Sequence, residues 1–268
     1  MTDLLGLTGT PSLVIGGASG IGRASAEMLA NAGAKVCVAD LDPEAAATVA
    51  GDIAAAGGDA CSVGGDVLTL EGAASVVDAA KAELGGLEVV INIVGFAAWM
   101  PLLEMDQATW DHDINRNLSQ HMYVGQAAAR HFVADGVAGR IAMVASVSGL
   151  YGAPSHSAYG AAKAGLMALT RSMADEWGQY GIRANAVAPD SIYTPRVRAG
   201  FEAAGVEDPD AIVAADGMPL ARWGTPDEIA GPLVFLCSQM ASFMSGQTLV
   251  VDGGQRAHFP HGGTNPMK

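Results

Sequence analysis

Positive charge is what this 268-residue chain is short of: Lys and Arg number 14 against 28 Asp and Glu, for a net charge of -14. A basic stripe able to track phosphates or an anionic bilayer is missing, so neither nucleic acid nor a membrane is an expected partner. Cysteine is scarce too. The three thiols, Cys37, Cys61 and Cys237, are odd in number, widely spaced and each set in an apolar run. They read as small buried hydrophobes in a reducing compartment, not as a disulfide framework. Every apolar run is interrupted well before the roughly 20 residues that span a bilayer. The opening MTDLLGLTG also lacks the basic region of a signal peptide. A soluble, cytoplasmic protein is the expectation. Histidine pairs at metal-ligand spacing are absent as well. His112, His121 and His131 fall nine and ten residues apart and read as solvated or packed residues, and the two in the terminal HFPHGGTNPMK are a compositional hint only. No metal is expected.

What is present is apolar content and glycine: 50% of residues are hydrophobic and 35 are Gly, ample for one sizeable core. Apolar runs alternate with helical spacing. SLVIG at 12–16 is a short strand, GGASGIGRASAEMLANAGA turns into a helix, and AKVCVAD is a second strand. An Ala-rich helix runs from Pro43 to about Gly57, a third strand from Ala60 to Val63, and a helix from about Leu70 to Leu84. LEVVINIVG is a fourth strand, its unbroken apolar run marking burial on both faces. Beyond the apolar loop FAAWMPLLEM come a long helix over about 106 to 134, a fifth strand GRIAMVAS, and a helix over about 157 to 180 stopping at Gly181. IRANAVAP and SGQTLVVDGG supply the sixth and seventh strands. The alternation predicts an α/β fold: a single-domain, Rossmann-type, doubly wound parallel sheet of about seven strands, with helices on both faces and right-handed crossovers. One domain over 1–268 is expected, with Asp190 to Gly224 as a mobile substrate lid and 255–268 as a C-terminal tail.

Gly16, Gly20 and Gly22 allow a tight turn that brings backbone close to a ligand, at the start of a helix whose amides suit a pyrophosphate. Asp40 ends the second strand some twenty residues on, where a carboxylate accepts the two ribose hydroxyls of NAD and repels the added phosphate of NADP. No Lys or Arg stands immediately beside it, and Ser19 is uncharged; a helix cap or turn residue is the other reading of Asp40. Asp66, at the next strand end, suits an adenine amino group or a plain turn.

Tyr159 and Lys163 lie four apart in an Ala-rich helix and so share one face. A phenol of pKa about 10 is a poor base, but a neighbouring ammonium favours the phenolate, and such a tyrosine can exchange a proton with an alcohol. Ser146, thirteen residues before Tyr159, could hold the same substrate oxygen.

GGASGIG, NIVG at 92 to 95, Asn117, Ser146, YGAAK at 159 to 163 and VDGG at 251 to 254 occur in order. By them the chain, from Leu7 to Gly254, resembles the classical short-chain dehydrogenase/reductase family. The resemblance implies that Tyr159 is the catalytic acid/base and that Lys163 lowers its pKa and holds the nicotinamide ribose. Ser146 would orient the substrate oxygen, and Asn117 would maintain the helix geometry and water linking Lys163 to solvent. It implies NAD as cofactor. The contacts would come from Gly16, Ser19, Gly20, Ile21, Gly22, Asp40, Leu41, Asp66, Val67, Asn92, Gly95, Tyr159, Lys163, Pro189, Ile192 and Thr194. Three positions depart from the family pattern: Ile15 stands for threonine, Ile93 and Val94 for Asn-Ala, and Asp190 for the glycine after Pro189.

Ligands of such sheets bind at the carboxyl ends of the strands, so the substrate pocket is expected from Phe96, Trp99, Met100, Ser148, Leu150, Tyr151, His156, Asp190, Ile192 and Tyr193. That lining is mostly apolar and aromatic, with Arg196, Arg198 and His156 as the available cations. A bulky apolar secondary alcohol or its ketone, of steroid, terpene or aryl type, is the expected substrate. Packing is the alternative reading of Trp99 and Met100. A 3-oxoacyl-type reductase and a cofactor-binding regulatory protein without turnover are the competing functions. Homo-oligomers, dimers or tetramers through the two long helices, are the family's habit, though the same Ala-rich faces could serve the monomer core.

Overall fold

A computed structural model of the chain describes residues 3–257. The terminal segment with its two histidines lies outside the described residues. The chain begins with β1 (Pro11–Ile15), α1 (Gly20–Asn31), β2 (Lys35–Asp40), α2 (Pro43–Ala55), β3 (Asp59–Gly64), α3 (Leu70–Leu84) and β4 (Val89–Asn92). It continues with α4 (Gln107–Ile114), α5 (Gln120–Asp135), β5 (Arg140–Val144), α6 (Ser157–Trp177), β6 (Arg183–Pro189), α7 (Pro195–Ala204), α8 (Pro209–Ala215), α9 (Pro226–Cys237) and β7 (Thr248–Val251).

The seven strands form one sheet in the order β3-β2-β1-β4-β5-β6-β7, every pair parallel. Alternate residues of each strand feed two cores. Leu13, Ile15, Val90, Ile141 and Met143 face the layer that includes α3, α5 and α6. Val14, Val36, Val89, Ile91 and Val187 face the layer of α1, α2 and α9. Burial on both faces is why these strands read as continuous apolar runs. After β3 the chain crosses to the other side of β1, so a crevice opens between the carboxyl ends of β1 and β4, the position where sheets of this kind take their ligands.

Several elements differ from the sequence expectation. The fourth strand ends at Asn92 and the fifth at Val144, so Gly95 and Ser146 stand just past the sheet on loops. The long helix is interrupted at residues 115–119, where Asn115–Ser119 form a π turn around the buried Asn117. The segment from Asp190 to Gly224 carries two helices, α7 and α8, and α9 follows in a stretch to which the sequence assigns no element. Each of the three helices begins with proline after Thr194, Asp208 or Thr225. Proline is well suited to that first position, since its missing N–H would be unpaired there anyway. Among the thiols, Cys37 and Cys237 are buried, but Cys61, beside Cys37 on β3, is only half-buried.

Candidate active site

The glycine turn closes β1 against α1. Gly16 and Gly20 have φ of 77° and 52°, which glycine adopts without strain. A Cβ on Gly22 would collide with the Gly16 carbonyl, so no side chain is tolerated where helix and turn meet. The Gly16 and Gly17 amides donate to the Ala39 carbonyl at 2.8 and 3.0 Å, holding the turn to β2 despite the apolar, core-packed Ile15 at its start. Ser19 caps α1 in extended conformation but makes no side-chain capping bond. The positive end of α1 is therefore offered to the crevice without internal competition from that hydroxyl.

Asp40 stands at the end of β2, half-buried; its Oδ2 accepts from the Ala18 amide at 3.0 Å and its Oδ1 from the Asp42 amide at 3.3 Å. The cap of α2 is Asp42, not Asp40. Arg23, the cation on the adjoining helix, is engaged by Glu27 and Asp52 at 2.7 and 2.9 Å. The carboxylate thus faces the crevice rim with its nearest donors on backbone. Leu41 beside it is exposed, Val67 is buried, and Asp66 accepts from the Leu68 amide at 2.9 Å in a turn. A glycine turn closed to any Cβ, an uncapped helix start and a carboxylate at the next strand end make a donor set that fits a dinucleotide. Thr194, the cap of α7, packs against Gly20 across the same crevice, and Ile192 bridges to Gly224.

The candidate catalytic group assembles around Gly95. A Cβ there would lie 2.8 Å from Asn117 Oδ1 and 2.9 Å from Lys163 Nζ, so both heads meet at a residue without a side chain. Asn117 Oδ1 accepts from the Phe96 amide at 2.9 Å, and its Nδ2 donates to the Phe96 and Asp113 carbonyls at 2.8 and 2.9 Å. Lys163 is buried; its Nζ donates to the Val144 carbonyl at 2.7 Å and lies 5.5 Å from the centre of the Tyr159 ring. Burial lowers its pKa to about 7. The Tyr159 phenol has its pKa raised, chiefly by burial and secondarily by the Asp113 carboxylate, with hydrogen bonding to Ser146 acting the other way. In the free chain both groups are desolvated, and at the phenol burial outweighs the hydrogen bond to Ser146. Ser146 Oγ also accepts from the Ser148 amide at 3.1 Å.

Three residues of this cluster were missed by sequence reasoning. Gln120 joins β4 to the helix: its Oε1 accepts from Asn92 Nδ2 at 2.8 Å and its Nε2 donates to the Val94 carbonyl at 3.0 Å. It supplies the strand-end hydrogen bonding that Ile93 and Val94 cannot. Asp113 and His121 are both buried beside it. All three stand four before, three after or four after Asn117, a helical spacing that was legible.

Where the sequence places the substrate pocket, rings run inward from the rim. Exposed Trp99 lies 4.6 Å from His156, and His156 lies 6.0 Å from Tyr159. The His156 Nδ1 lies 2.8 Å from the Pro154 carbonyl, an acceptor, which leaves Nε2 to accept from Ser148 Oγ at 3.1 Å. Met100 donates its amide to the Ser155 carbonyl at 2.6 Å. Arg196 packs over the Phe96 ring at 4.5 Å. Tyr193 instead joins Phe201 and Trp223 in a ring cluster of the 190–224 segment, 6.3 Å from each. Asp190 is half-buried, receives the Ser191 hydroxyl at 3.0 Å, and has its pKa raised by burial. It lines a narrow cleft with Ile192, Met218 and Asp252.

Among the described residues there is no cluster able to hold a metal ion, and no helix is long and apolar enough to cross a membrane. A family profile described as enoyl-(acyl carrier protein) reductase matches residues 16–256. A cis-4-hydroxycyclohexanecarboxylate dehydrogenase of Sinomonas cyclohexanicum is 42% identical over 247 residues, 92% of this chain and 96% of that one. A 3beta-hydroxysteroid dehydrogenase 2 of Eggerthella lenta is 34% identical over 254 residues, 94% of this chain and 96% of the other. The crystal structure of a short-chain type dehydrogenase/reductase from Mycobacterium marinum superposes with a TM-score of 0.86 at 32% identity, covering 96% of this chain and 99% of that one. The chain belongs to the classical short-chain dehydrogenase/reductase family and is an oxidoreductase of its alcohol dehydrogenase kind.

Proposed function

We propose that the chain uses NAD to oxidise a bulky, mainly apolar secondary alcohol, of steroid, terpene or aryl type, and in reverse reduces the corresponding ketone. The observation that carries this reading is the meeting of Asn117, Tyr159 and Lys163 at the switch-point crevice whose rim bears Asp40. When bound, the nicotinamide supplies the hydride acceptor and, in its oxidised form, a positive charge. Gly16, Ser19, Gly20, Ile21 and Gly22 would hold the pyrophosphate on the start of α1, and Asp40 would take the ribose hydroxyls. Leu41, Asp66 and Val67 would serve the adenine, and Asn92, Gly95, Pro189, Ile192 and Thr194 the nicotinamide end.

Tyr159, ionised, accepts the alcohol proton and becomes the phenol, and Ser146 donates a hydrogen bond to the same oxygen, fixing it against the ring. Lys163, held by Val144, supplies the positive charge that favours the phenolate before that transfer, and Asn117, held in the π turn, stands beside Lys163. Trp99, Met100 and the His156 ring form an apolar wall that excludes water, with α7 and α8 as lid; Ser148 is occupied by His156 and orients it. Asp190 lines the neighbouring cleft, and Tyr193 packs in the ring cluster that steadies the 190–224 segment.

Cofactor choice rests on Asp40. Substituting Asp40→Ala is expected to raise the KM for NAD about tenfold or more, through loss of a charge-assisted pair of hydrogen bonds, and to improve use of NADP. Parallel kinetics with both cofactors check this; unchanged NAD preference would remove Asp40 from the account. The same carboxylate weighs against a 3-oxoacyl-type reductase, and the complete set of proton-transfer residues weighs against a regulatory protein without turnover.

Arg196 over Phe96 favours a second reading, in which the alcohol carries a carboxylate at its far end. Loss of activity on acids alone in Arg196→Met distinguishes the two. A homodimer or tetramer is supported by a cavity of about 540 Å³ on the outer face of α5 and α6, lined by Met122, Val133, Leu169 and Trp177. Sedimentation of a monomer at micromolar concentration would contradict this. The three free thiols support a cytoplasmic setting.

A further inference from the structure

The interior face of α4, the π turn and α5 carries a polar stripe: Asp113, Asn117, Gln120 and His121, all 0–1% exposed. Asn117 and Gln120 have their hydrogen bonds met. His121 does not: neither ring nitrogen has a partner of ordinary geometry, and Asp113 Oδ1 is likewise unmet. Of the six such buried atoms among the described residues, three therefore sit within one helical turn of Asn117, beside Lys163. An imidazole in that state is costly to keep in a core, and an apolar residue of similar size would be cheaper, so its presence calls for a hydrogen-bonding role.

The surroundings define that role. Burial and the nearby Lys163 charge hold the His121 pKa well below its ordinary value, so the ring is neutral, with one donor and one acceptor nitrogen. Its approach to the Val94 carbonyl suits the donor. The acceptor nitrogen has no partner, and Lys163 Nζ, which meets Asn117 Oδ1 at Gly95 one helical turn back along the stripe, has spent one of its three hydrogens on Val144. The charged and titratable groups acting here are Lys163 and Tyr159 from α6 and Asp113 from α4; β4 and β5 bring the Val94 and Val144 carbonyls, and Asp190 of the loop after β6 acts on Tyr151 instead.

We propose that His121 is a positioning residue for Lys163, its ring lone pair accepting from the ammonium through one ordered water and so keeping positive charge beside Tyr159. This role rests on the proposed function and deepens it. Without the acceptor the ammonium is less favoured, the phenolate gains less from it, and the Tyr159–Lys163 pair needs a higher pH to lose its proton.

The test is the pH profile of kcat/KM for alcohol oxidation in His121→Leu, His121→Asn and His121→Gln, with melting temperature and reduced-cofactor binding measured alongside. In His121→Leu the acid limb is expected to move up by about one pH unit, a tenfold loss below the limb. At least one of the amide variants, which retain an acceptor, should return it to the parental position. His121→Val serves if the leucine variant does not fold. An unmoved limb in the apolar variant, or an equal shift in all variants, overturns the proposal. Failure of the underlying mechanism shows separately, as turnover retained by Tyr159→Phe.

Discussion

Tyr159→Phe is expected to lose alcohol oxidation by about a thousandfold or more while binding NAD as the parent does. The expectation rests on how little else in the pocket can move a proton. His156 is committed to Pro154 and Ser148, and Ser146 is already an acceptor for the Ser148 amide. Asp113 is buried and reaches Tyr159 only through its field. Phenylalanine preserves the ring that packs near His156 and removes only the hydroxyl, so α7, α8 and the glycine turn have no reason to change. Single-turnover hydride transfer and NAD titration by fluorescence separate the two effects; a rate within tenfold of the parent would remove the phenol from the mechanism.

Lys163→Met is expected to be as inactive and yet more stable in the absence of ligands. The lysine pKa falls from 10.5 to about 7 on burial. Below the folded value, the unfolded chain holds its ammonium in water while the folded chain must bury it. The penalty is therefore full below about pH 7, fades as pH rises from the folded towards the unfolded value, and is gone above the latter. A shift of that size corresponds to ~4 kcal/mol near pH 7, offset by ~1 kcal/mol for the lost bond to Val144. A rise in melting temperature of about 5–10 °C at pH 7 should shrink towards pH 10. A variant that melts lower at neutral pH would show that the ammonium is better solvated than its burial implies. Retention of a lysine this costly is itself an argument that it serves chemistry and not the fold.

The parallel sheet was legible because its strands are buried on both faces and so appear as unbroken apolar runs bounded by glycine. Tyr159 and Lys163 were legible because a helix converts a spacing of four into one face. Helices α7, α8 and α9 were less so, because Pro195, Pro209 and Pro226 look like breakers, although each follows a Thr or Asp cap and opens a helix. The π turn at Asn117 has no local code; it follows from Asn117 bonding Phe96 and Asp113 rather than continuing the regular ladder. Gln120 compensates for Ile93 across 27 residues, a pairing visible only once β4 and α5 stand together. The balance that raises the Tyr159 pKa depends on burial, which residue types at a given spacing do not specify.

The most direct test of the account is absorbance at the reduced nicotinamide band, with NAD and NADP in parallel, across steroid, cyclic, aryl and short hydroxy-acid alcohols. The account predicts turnover with NAD on the bulky apolar secondary alcohols and little with NADP. Turnover that prefers NADP, or that occurs on short hydroxy acids alone, would contradict it.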